Sequence, residues 1–179
     1  RGIQVGIGFE FGIHPPEFAS VMPGDARIPG TFLPDPTHPA SIEILHHTID
    51  DLLGSYPESD WIWLWLHEHT MFTGEAKPVG KFAELIKKER ELFAGADEAD
   101  VFTGVWSLAY IREACRYLSE RKAPKRVAIS GWGGRHQLPG ILPGLDRCLP
   151  NDIVFSCLNP ALGALPHAPE LTDIASHRP

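Results

Sequence analysis

The feature that most limits how this chain can fold is the run at residues 60–70, Asp-Trp-Ile-Trp-Leu-Trp-Leu-His-Glu-His-Thr. Its alternating aromatic and aliphatic residues favour a β-strand. Its continuous apolar character predicts that both faces of the strand are covered, as in a parallel sheet flanked by helices. His67, Glu68 and His69 follow directly. Because such sheets carry their chemistry at the carboxyl ends of their strands, the triplet predicts a functional site. The simpler interpretation is a buried strand whose polar end enters solvent.

Length and composition restrict the class of protein. The chain has 179 residues, 43% of them hydrophobic and 22% charged, as in one ordinary globular domain. A formal net charge of −7 argues against a nucleic-acid partner. No apolar run approaches the roughly 20 residues that a membrane span requires. We predict a single α/β domain over residues 1–179. We expect this domain to be incomplete, because the chain lacks a starting Met and opens almost inside a strand.

The three cysteines lack CxxC spacing and are predicted to be buried thiols.

Residues 3–11 alternate in a way that predicts a strand with two different faces. One parity holds Ile3, Val5, Ile7, Phe9 and Phe11, and the other holds Gln4, Gly6, Gly8 and Glu10. The bulky face would pack on helices, and the bare face would let a ligand or a neighbouring side chain approach the backbone. Glu10 would point inward near the carboxyl end of the strand, which makes it a second candidate carboxylate.

A proline-rich segment follows at residues 12–39. Neither a helix nor a central strand tolerates its proline spacing, and loops of this length are usually functional or disordered. We expect an ordered lid and not a flexible linker, with Phe18, Phe32 and Leu33 as its buried residues. His14 lies at the start of this segment, beside Glu10.

Apolar periodicity predicts the remaining elements. Helices are expected over residues 39–53, 81–93, 97–121 and 142–148, and strands over residues 126–132 and 152–158. His46 and His47 are expected at the surface, because no partner lies one turn away on their helix. Strands that alternate with helices indicate parallel βα units. Four such units predict about half of a (β/α)8 TIM barrel, and the alternative is a small open doubly wound sheet.

Ionisable and aromatic residues follow the predicted strands, as at the rim of a barrel. Glu10 and Glu68 suit glycoside hydrolysis, in which one carboxyl group protonates the leaving oxygen and the other acts as nucleophile or base. Glu68 is the preferred acid, because tryptophans and two histidines surround it. We therefore predict a carbohydrate-active hydrolase that needs neither a metal nor another cofactor. Its predicted substrate-binding residues are His14, Trp65, His67, His69, Trp132, Arg135 and Asn159.

The same residues carry a resemblance to a known class of enzymes. The strand that ends Trp-Leu-Trp-Leu-His-Glu, the inward Glu10, and the Trp-Gly-Gly and Asn-Pro strand exits resemble barrel domains of retaining glycoside hydrolases. The hexosaminidase-type and α-glucuronidase-type families are the most similar. The resemblance implies acidic residues at successive strand ends and tryptophans that hold the sugar. The paired Asp-Glu of hexosaminidases is absent, because histidines flank Glu68, and this argues against an N-acetylhexosamine substrate.

Two alternatives remain open. His67 and His69 have the spacing that amidohydrolase-type barrels use for a metal ion, and side chains two apart on a strand point the same way. His14, His136 or His167 would complete such a site. The other alternative is a domain without catalysis that only binds a carbohydrate or a protein partner. In each case the open edges of a half-barrel require cover from the rest of a longer chain or from a homo-oligomer partner.

Overall fold

Four parallel strands and the helices between them form the architecture of the chain. The structure, a computed structural model, describes residues 2–12, 14, 17–66, 76–123, 125–131, 138–156, 174 and 177–178. The strands are β1 (Gly6–Glu10), β2 (Trp61–Trp65), β3 (Arg126–Ser130) and β4 (Val154–Phe155). The helices are α1 (Phe18–Val21), α2 (Pro39–Ser55), α3 (Gly80–Glu89), α4 (Glu98–Glu120) and α5 (Leu138–Cys148). Short 3₁₀ turns cover Gly24–Ala26 and Arg90–Phe93.

The strand order is β1-β2-β3-β4, and each neighbouring pair is parallel. Each crossover contains at least one helix, and α4 packs against α2, α3 and α5. The predicted α/β fold with a parallel sheet of βα units is therefore confirmed. In a doubly wound sheet the order of strands across the sheet reverses at a switch point. The described strands instead follow one another across the sheet in chain order. This order favours the barrel-type arrangement, and closure into a barrel stays a prediction.

The two faces of the sheet differ in exposure. Ile62, Leu64 and Ile129 are fully buried in one core with apolar residues of α2, α4 and α5. The opposite side of β1 and β2, here called the open face, is partly or largely exposed and consists of Gly6, Gly8, Glu10, Trp61, Trp63 and Trp65. The prediction that both faces of β2 are covered is thus wrong for its tryptophans. Continuous apolar character does not reveal whether a helix lies against each face.

The first strand is shorter than its alternating pattern. Ile3 and Val5 are 88% and 46% exposed, and the strand begins at Gly6. Asp60 holds Val5 in place, because the Asp60 N–H donates to the Val5 carbonyl at 2.7 Å and the Asp60 carboxylate accepts from the Val5 N–H at 2.8 Å. Ile7 and Phe9 pack against the core, as the bulky face of the pattern predicts.

The proline-rich segment is ordered where the structure describes it, and part of it belongs to the core. Ile28 and Leu33 are buried, and the Ile28 N–H donates to the Leu33 carbonyl at 2.9 Å. The Trp106 indole N–H donates to the Pro34 carbonyl, also at 2.9 Å. The prediction that Phe18 and Phe32 are buried is wrong, since they are 41% and 59% exposed. The segment therefore packs on the core through its aliphatic residues.

Two helices begin at residues whose side chains cap them. The ring of His38 accepts a hydrogen bond from the Ala40 N–H at the start of α2, and the Asp97 carboxylate accepts from the Asp100 N–H at the start of α4. Each satisfies a backbone donor that has no partner inside its helix. The helices predicted from periodicity begin and end within a few residues of those observed. The largest difference is α5, which begins at Leu138 and contains Pro143.

His46 is only partly exposed and has partners, which corrects the prediction for it. Its ring stacks on Tyr117 with centroids 3.8 Å apart, and its Nε2 lies 2.6 Å from the Glu113 carboxylate. Both partners belong to α4, so partners on the same helix were the wrong ones to consider. His47 is exposed, as predicted.

The last described residues are anchored on α5. Arg178 is 6% exposed, and its guanidinium donates to the Asp146 carboxylate and to the carbonyl oxygens of Asp146 and Leu149 at 2.5–2.8 Å. Burial alone would raise the pKa of Asp146, but Arg178 and His177 outweigh it and hold that pKa below its usual value. A basic side chain on the last carbonyls of a helix is a favourable cap.

Two predictions from composition have partial outcomes. Cys115 and Cys148 are free and half-buried, and burial raises the pKa of Cys115 to about 11; Cys157 lies outside the described residues. Among the helices that the structure describes, none combines the length and the apolar character that crossing a membrane requires.

Gly12 offers a test of the packing at the end of β1. It has a φ of 75°, and a Cβ there would overlap the Trp106 ring. The left-handed backbone costs a non-glycine residue about 1–2 kcal/mol, and overpacking costs about 1–3 kcal/mol. We expect Gly12→Ala to lower the free energy of unfolding by about 2–5 kcal/mol in urea titrations. The control Gly54→Ala, in open space on α2, should raise it by up to about 1 kcal/mol. Equal losses in both variants would contradict this packing.

Glu113 offers a test by pH. Hydrogen bonds from Arg116 and His46 hold the pKa of Glu113 below its usual value, against the effect of burial. A depressed folded-state pKa stabilises the fold above the unfolded value of about 4.3, and this stabilisation is lost as the pH falls through the folded-state pKa. Glu113→Gln should therefore lower the free energy of unfolding by about 1–3 kcal/mol at pH 7. Below the folded-state pKa the difference from wild type should vanish. Glu43→Gln, which alters an exposed pair with His47, should change little at either pH, and a pH-independent loss in Glu113→Gln would refute the assignment.

Candidate functional site

The structure describes Glu10, His14 and Trp65 among the predicted site residues. The others lie outside the described residues, namely His67, Glu68, His69, Trp132, Arg135 and Asn159. The same holds for His136 and His167, the further ligands of the metal alternative. The geometry of the site is therefore built from the described strand ends.

The strand register brings Glu10 and Trp65 together. Glu10 pairs with Trp65 across β1 and β2, and Trp65 pairs with Ser130 across β2 and β3. Paired residues of adjacent strands lie on the same face of a sheet, so Glu10 and Trp65 are neighbours at the carboxyl edge of the open face. Glu10 is thus at the carboxyl end of its strand, as the sequence predicts, and its inward direction in a barrel stays a prediction.

A cleft of about 560 Å³ lies on the open face, with Gly6, Gly8, Phe9, Glu10, Trp63 and Trp65 as its lining. This volume is within the range of about 300–1,000 Å³ that small-molecule sites occupy. The lining combines two indoles with one carboxylate, and Glu10 is exposed to solvent. Apolar walls with a few polar groups are the usual composition of a ligand site.

Trp63 was not among the predicted site residues, although the sequence contains a signal for it. It lies two residues before Trp65, so the alternation of a strand places both on the same face. The two glycines of β1 make room for it. A Cβ on Gly8 would lie 2.8 Å from the Cβ of Trp63, and one on Gly6 would overlap its indole nitrogen. The bare side of β1 thus receives a neighbouring side chain, which was one of the two uses predicted for it.

Trp61 belongs to the other end of the open face. The Arg126 guanidinium lies over its ring, 3.9 Å from the centroid, and the Trp61 indole N–H donates to the Gln4 side chain at 3.3 Å. These contacts hold Trp61 at the amino ends of the strands, outside the lining of the cleft. It is therefore a structural tryptophan and a useful reference for the other two.

A second, smaller cavity of about 120 Å³ lies at the end of β1, toward α2 and α4. This cavity and the cleft share Phe9 and Glu10, and the rest of the smaller lining is Phe11, Gly12, His14, Ser41, Ile44, Leu45, Thr48 and Tyr110. His14 lies beside Glu10 in this lining, as the sequence predicts, and its ring stacks on Phe18 at 6.0 Å. Ser41 and Tyr110 were not predicted, because they come from distant helices that only the fold brings to this strand end.

The described residues contain no group of three or more His, Cys, Asp or Glu side chains that could hold a metal ion. His67 and His69 lie outside these residues, so the metal alternative stays a prediction. Comparison with protein-family models, with curated proteins and with solved structures finds no match for this chain. The resemblance to glycoside hydrolases therefore rests on the strand-end residues alone.

Proposed function

We propose that the protein is a carbohydrate-active hydrolase that cleaves glycosidic bonds at the carboxyl edge of its sheet. The observation that carries this proposal is the cleft on the open face, where Trp63 and Trp65 stand beside the carboxylate of Glu10. A sugar ring has apolar C–H faces, which pack on indoles. It also has hydroxyl groups, which donate hydrogen bonds to a carboxylate. The cleft offers both kinds of group within a volume suited to one or a few sugar rings.

The second carboxyl group of the proposed pair is Glu68. It follows Leu66 by two residues, and the Leu66 N–H donates to the Ser130 carbonyl at 2.8 Å where β2 ends. We therefore expect Glu68 at the same edge as Glu10. In this proposal Glu68 is the general acid and Glu10 the nucleophile or base. A separation of about 5–5.5 Å between the two would give retention of configuration, and one of about 6.5–9.5 Å would give inversion.

The remaining predicted residues have proposed roles around this pair. His67 and His69 would hydrogen-bond sugar hydroxyls beside Glu68, and Trp132 would add a third stacking surface. Arg135 and Asn159 would contribute polar contacts from the next two strand exits. In the same proposal the four βα units are about half of a (β/α)8 barrel, and the open face is the interior wall. The rest of a longer chain or a second copy would then complete that barrel.

The acid pair is tested by substitution with a matched control. We expect Glu68→Gln and Glu10→Gln to lower the rate of hydrolysis of a panel of disaccharides by about 10²–10⁴-fold, because the leaving sugar oxygen must be protonated and general acid–base catalysis contributes that much. Affinity for an uncleaved oligosaccharide should persist. Glu58→Gln is the control, since Glu58 is exposed in the turn that precedes β2, at the opposite end of the strand.

Two outcomes would replace this proposal. Activity that depends on stoichiometric zinc, with the zinc lost in His67→Ala, would identify the metal-dependent hydrolase instead. Sugar binding by a wild-type chain that cleaves none of the glycosides would identify the non-catalytic alternative. Full activity in Glu68→Gln would exclude Glu68 as the acid.

The stacking role of the tryptophans is tested by binding. Trp63→Ala and Trp65→Ala should raise the dissociation constant of a bound oligosaccharide about 2- to 10-fold, since an aromatic contact contributes about 0.5–1.5 kcal/mol. Trp61→Ala removes an indole from the other end of the same strand and should leave the constant unchanged. Isothermal titration calorimetry measures all three, and an equal effect of the three substitutions would show that the cleft is not the binding site.

A further inference from the structure

The open face already holds one cation on an indole. The Arg126 guanidinium lies over the Trp61 ring, 3.9 Å from its centroid. A cation in this position is attracted by the negative face of the aromatic ring. Trp63 follows Trp61 by two residues and lies on the same face of β2. In the described part of the chain no Lys or Arg lies over the Trp63 ring, so its attraction for a cation is available to a ligand.

Glu10 gives the cleft a negative charge that the described residues do not neutralise. Its exposed side chain lines the cleft, and within the described ranges its carboxylate has neither a hydrogen bond nor an ion pair. The lining, as far as the structure describes it, contains no Lys or Arg. The formal net charge of the whole chain is −7. The cleft therefore attracts cations and repels anions.

The strand register sets the distance between the two features. Glu10 is opposite Trp65, and Trp63 lies two residues nearer the amino end of β2, a separation of about 7 Å along the strand. The Arg126 charge is at the level of Trp61, a further two residues away and outside the cleft lining. Arg126 repels a second cation from that end. The favourable place for a cation is thus over Trp63, on the side that faces Glu10.

We infer that the substrate is a glycoside of an amino sugar whose amine is free and protonated. The inference rests on the proposed function, because the sugar is the one that this function places in the cleft. The ammonium group would lie over Trp63 in the field of the Glu10 carboxylate. Since the two levels are about 7 Å apart, Glu10 stays available for its role at the carboxyl edge. A uronic acid would bring a second negative charge to Glu10, and an N-acetylated amino sugar, which is neutral, would lose both attractions.

Monosaccharides that differ in charge test this selectivity without being cleaved. Glucosamine is cationic, glucose and N-acetylglucosamine are neutral, and glucuronic acid is anionic at pH 6. In ligand-observed NMR titrations of the 179-residue chain, we expect glucosamine to bind about 3- to 30-fold more tightly than either neutral sugar, the combined effect of one cation–π contact and one exposed charge attraction. Glucuronic acid should bind most weakly. Added NaCl should reduce the advantage of glucosamine and leave glucose binding unchanged, because salt screens the charges.

Two variants assign the preference to the cleft. Glu10→Gln removes the charge and keeps the shape, and Trp63→Leu removes the aromatic face and keeps an apolar side chain. Each should reduce the advantage of glucosamine over glucose about 2- to 5-fold. The matched controls are Glu58→Gln and Trp61→Leu, which make the same changes at the amino end of β2, and they should leave this advantage unaltered. Circular dichroism checks that each variant is folded, and Glu10→Gln, at an exposed position, decides if Trp63→Leu is not.

Hydrolysis of disaccharides separates this inference from the proposed function. We expect the β-1,4 disaccharide of glucosamine to be cleaved faster than its N-acetylated form and faster than cellobiose. Cleavage of cellobiose together with equal or weaker binding of glucosamine would overturn the inference and leave the proposed function standing. A preference for glucosamine that Glu10→Gln reduces, without cleavage of any disaccharide, would support the cation site and overturn the proposed hydrolysis. A preference that neither cleft variant alters would overturn the inference, and absence of binding by every sugar would overturn both.

Discussion

The rest of the structure depends on the burial of Trp106. Its side chain is 0% exposed, and it joins α4 to the end of β1 and to the proline-rich segment. It lies against Gly12 after β1, donates its indole N–H to the Pro34 carbonyl, and stacks on Phe11 with centroids 5.6 Å apart. A large aromatic residue contributes more buried apolar area than any other kind. One side chain of α4 thus fixes the end of the first strand and the proline-rich segment together.

The same contact positions the candidate site. Tyr110 is one turn after Trp106 on α4, and their rings meet edge to face with centroids 4.7 Å apart. Tyr110 lines the small cavity, and Glu10 lies two residues before Gly12. The cavity and the end of β1 are therefore held by one group of aromatic contacts. The helices carry this support from the covered side of the sheet and leave the tryptophans of the open face accessible.

Much of the fold was predictable, because it depends on short-range patterns. The parity of residues 3–11 separates Ile7 and Phe9 from Gly6 and Gly8, and apolar periodicity marks the long helices. The errors concern contacts between distant parts of the chain. The pairing of His46 with Glu113 and the exposure of Trp63 follow from how helices are arranged around the sheet, which periodicity does not encode.

The candidate site was predictable to a similar degree. Glu10 and Trp65 share a strand edge because parallel strands align their carboxyl ends, and this alignment can be inferred from the order of elements. Trp63 was missed although its parity matches that of Trp65. Ser41 and Tyr110 were missed for another reason, since 69 positions separate them in the chain and only the packing of α2 against α4 brings them to one cavity.

Arg178 has a consequence for the order in which the chain can complete its fold. Its guanidinium supplies the partners for the Asp146 carboxylate and for two carbonyls at the end of α5. On a growing chain, α5 is synthesised about 30 residues before Arg178. The hydrogen bonds from Arg178 to the carboxyl end of the helix therefore form only after these later residues have been made. Until Arg178 binds them, the Asp146 carboxylate and these carbonyls remain hydrated, which delays the burial of the last turn of α5. We therefore expect the last turn of α5 to be completed only after Arg178 has reached it.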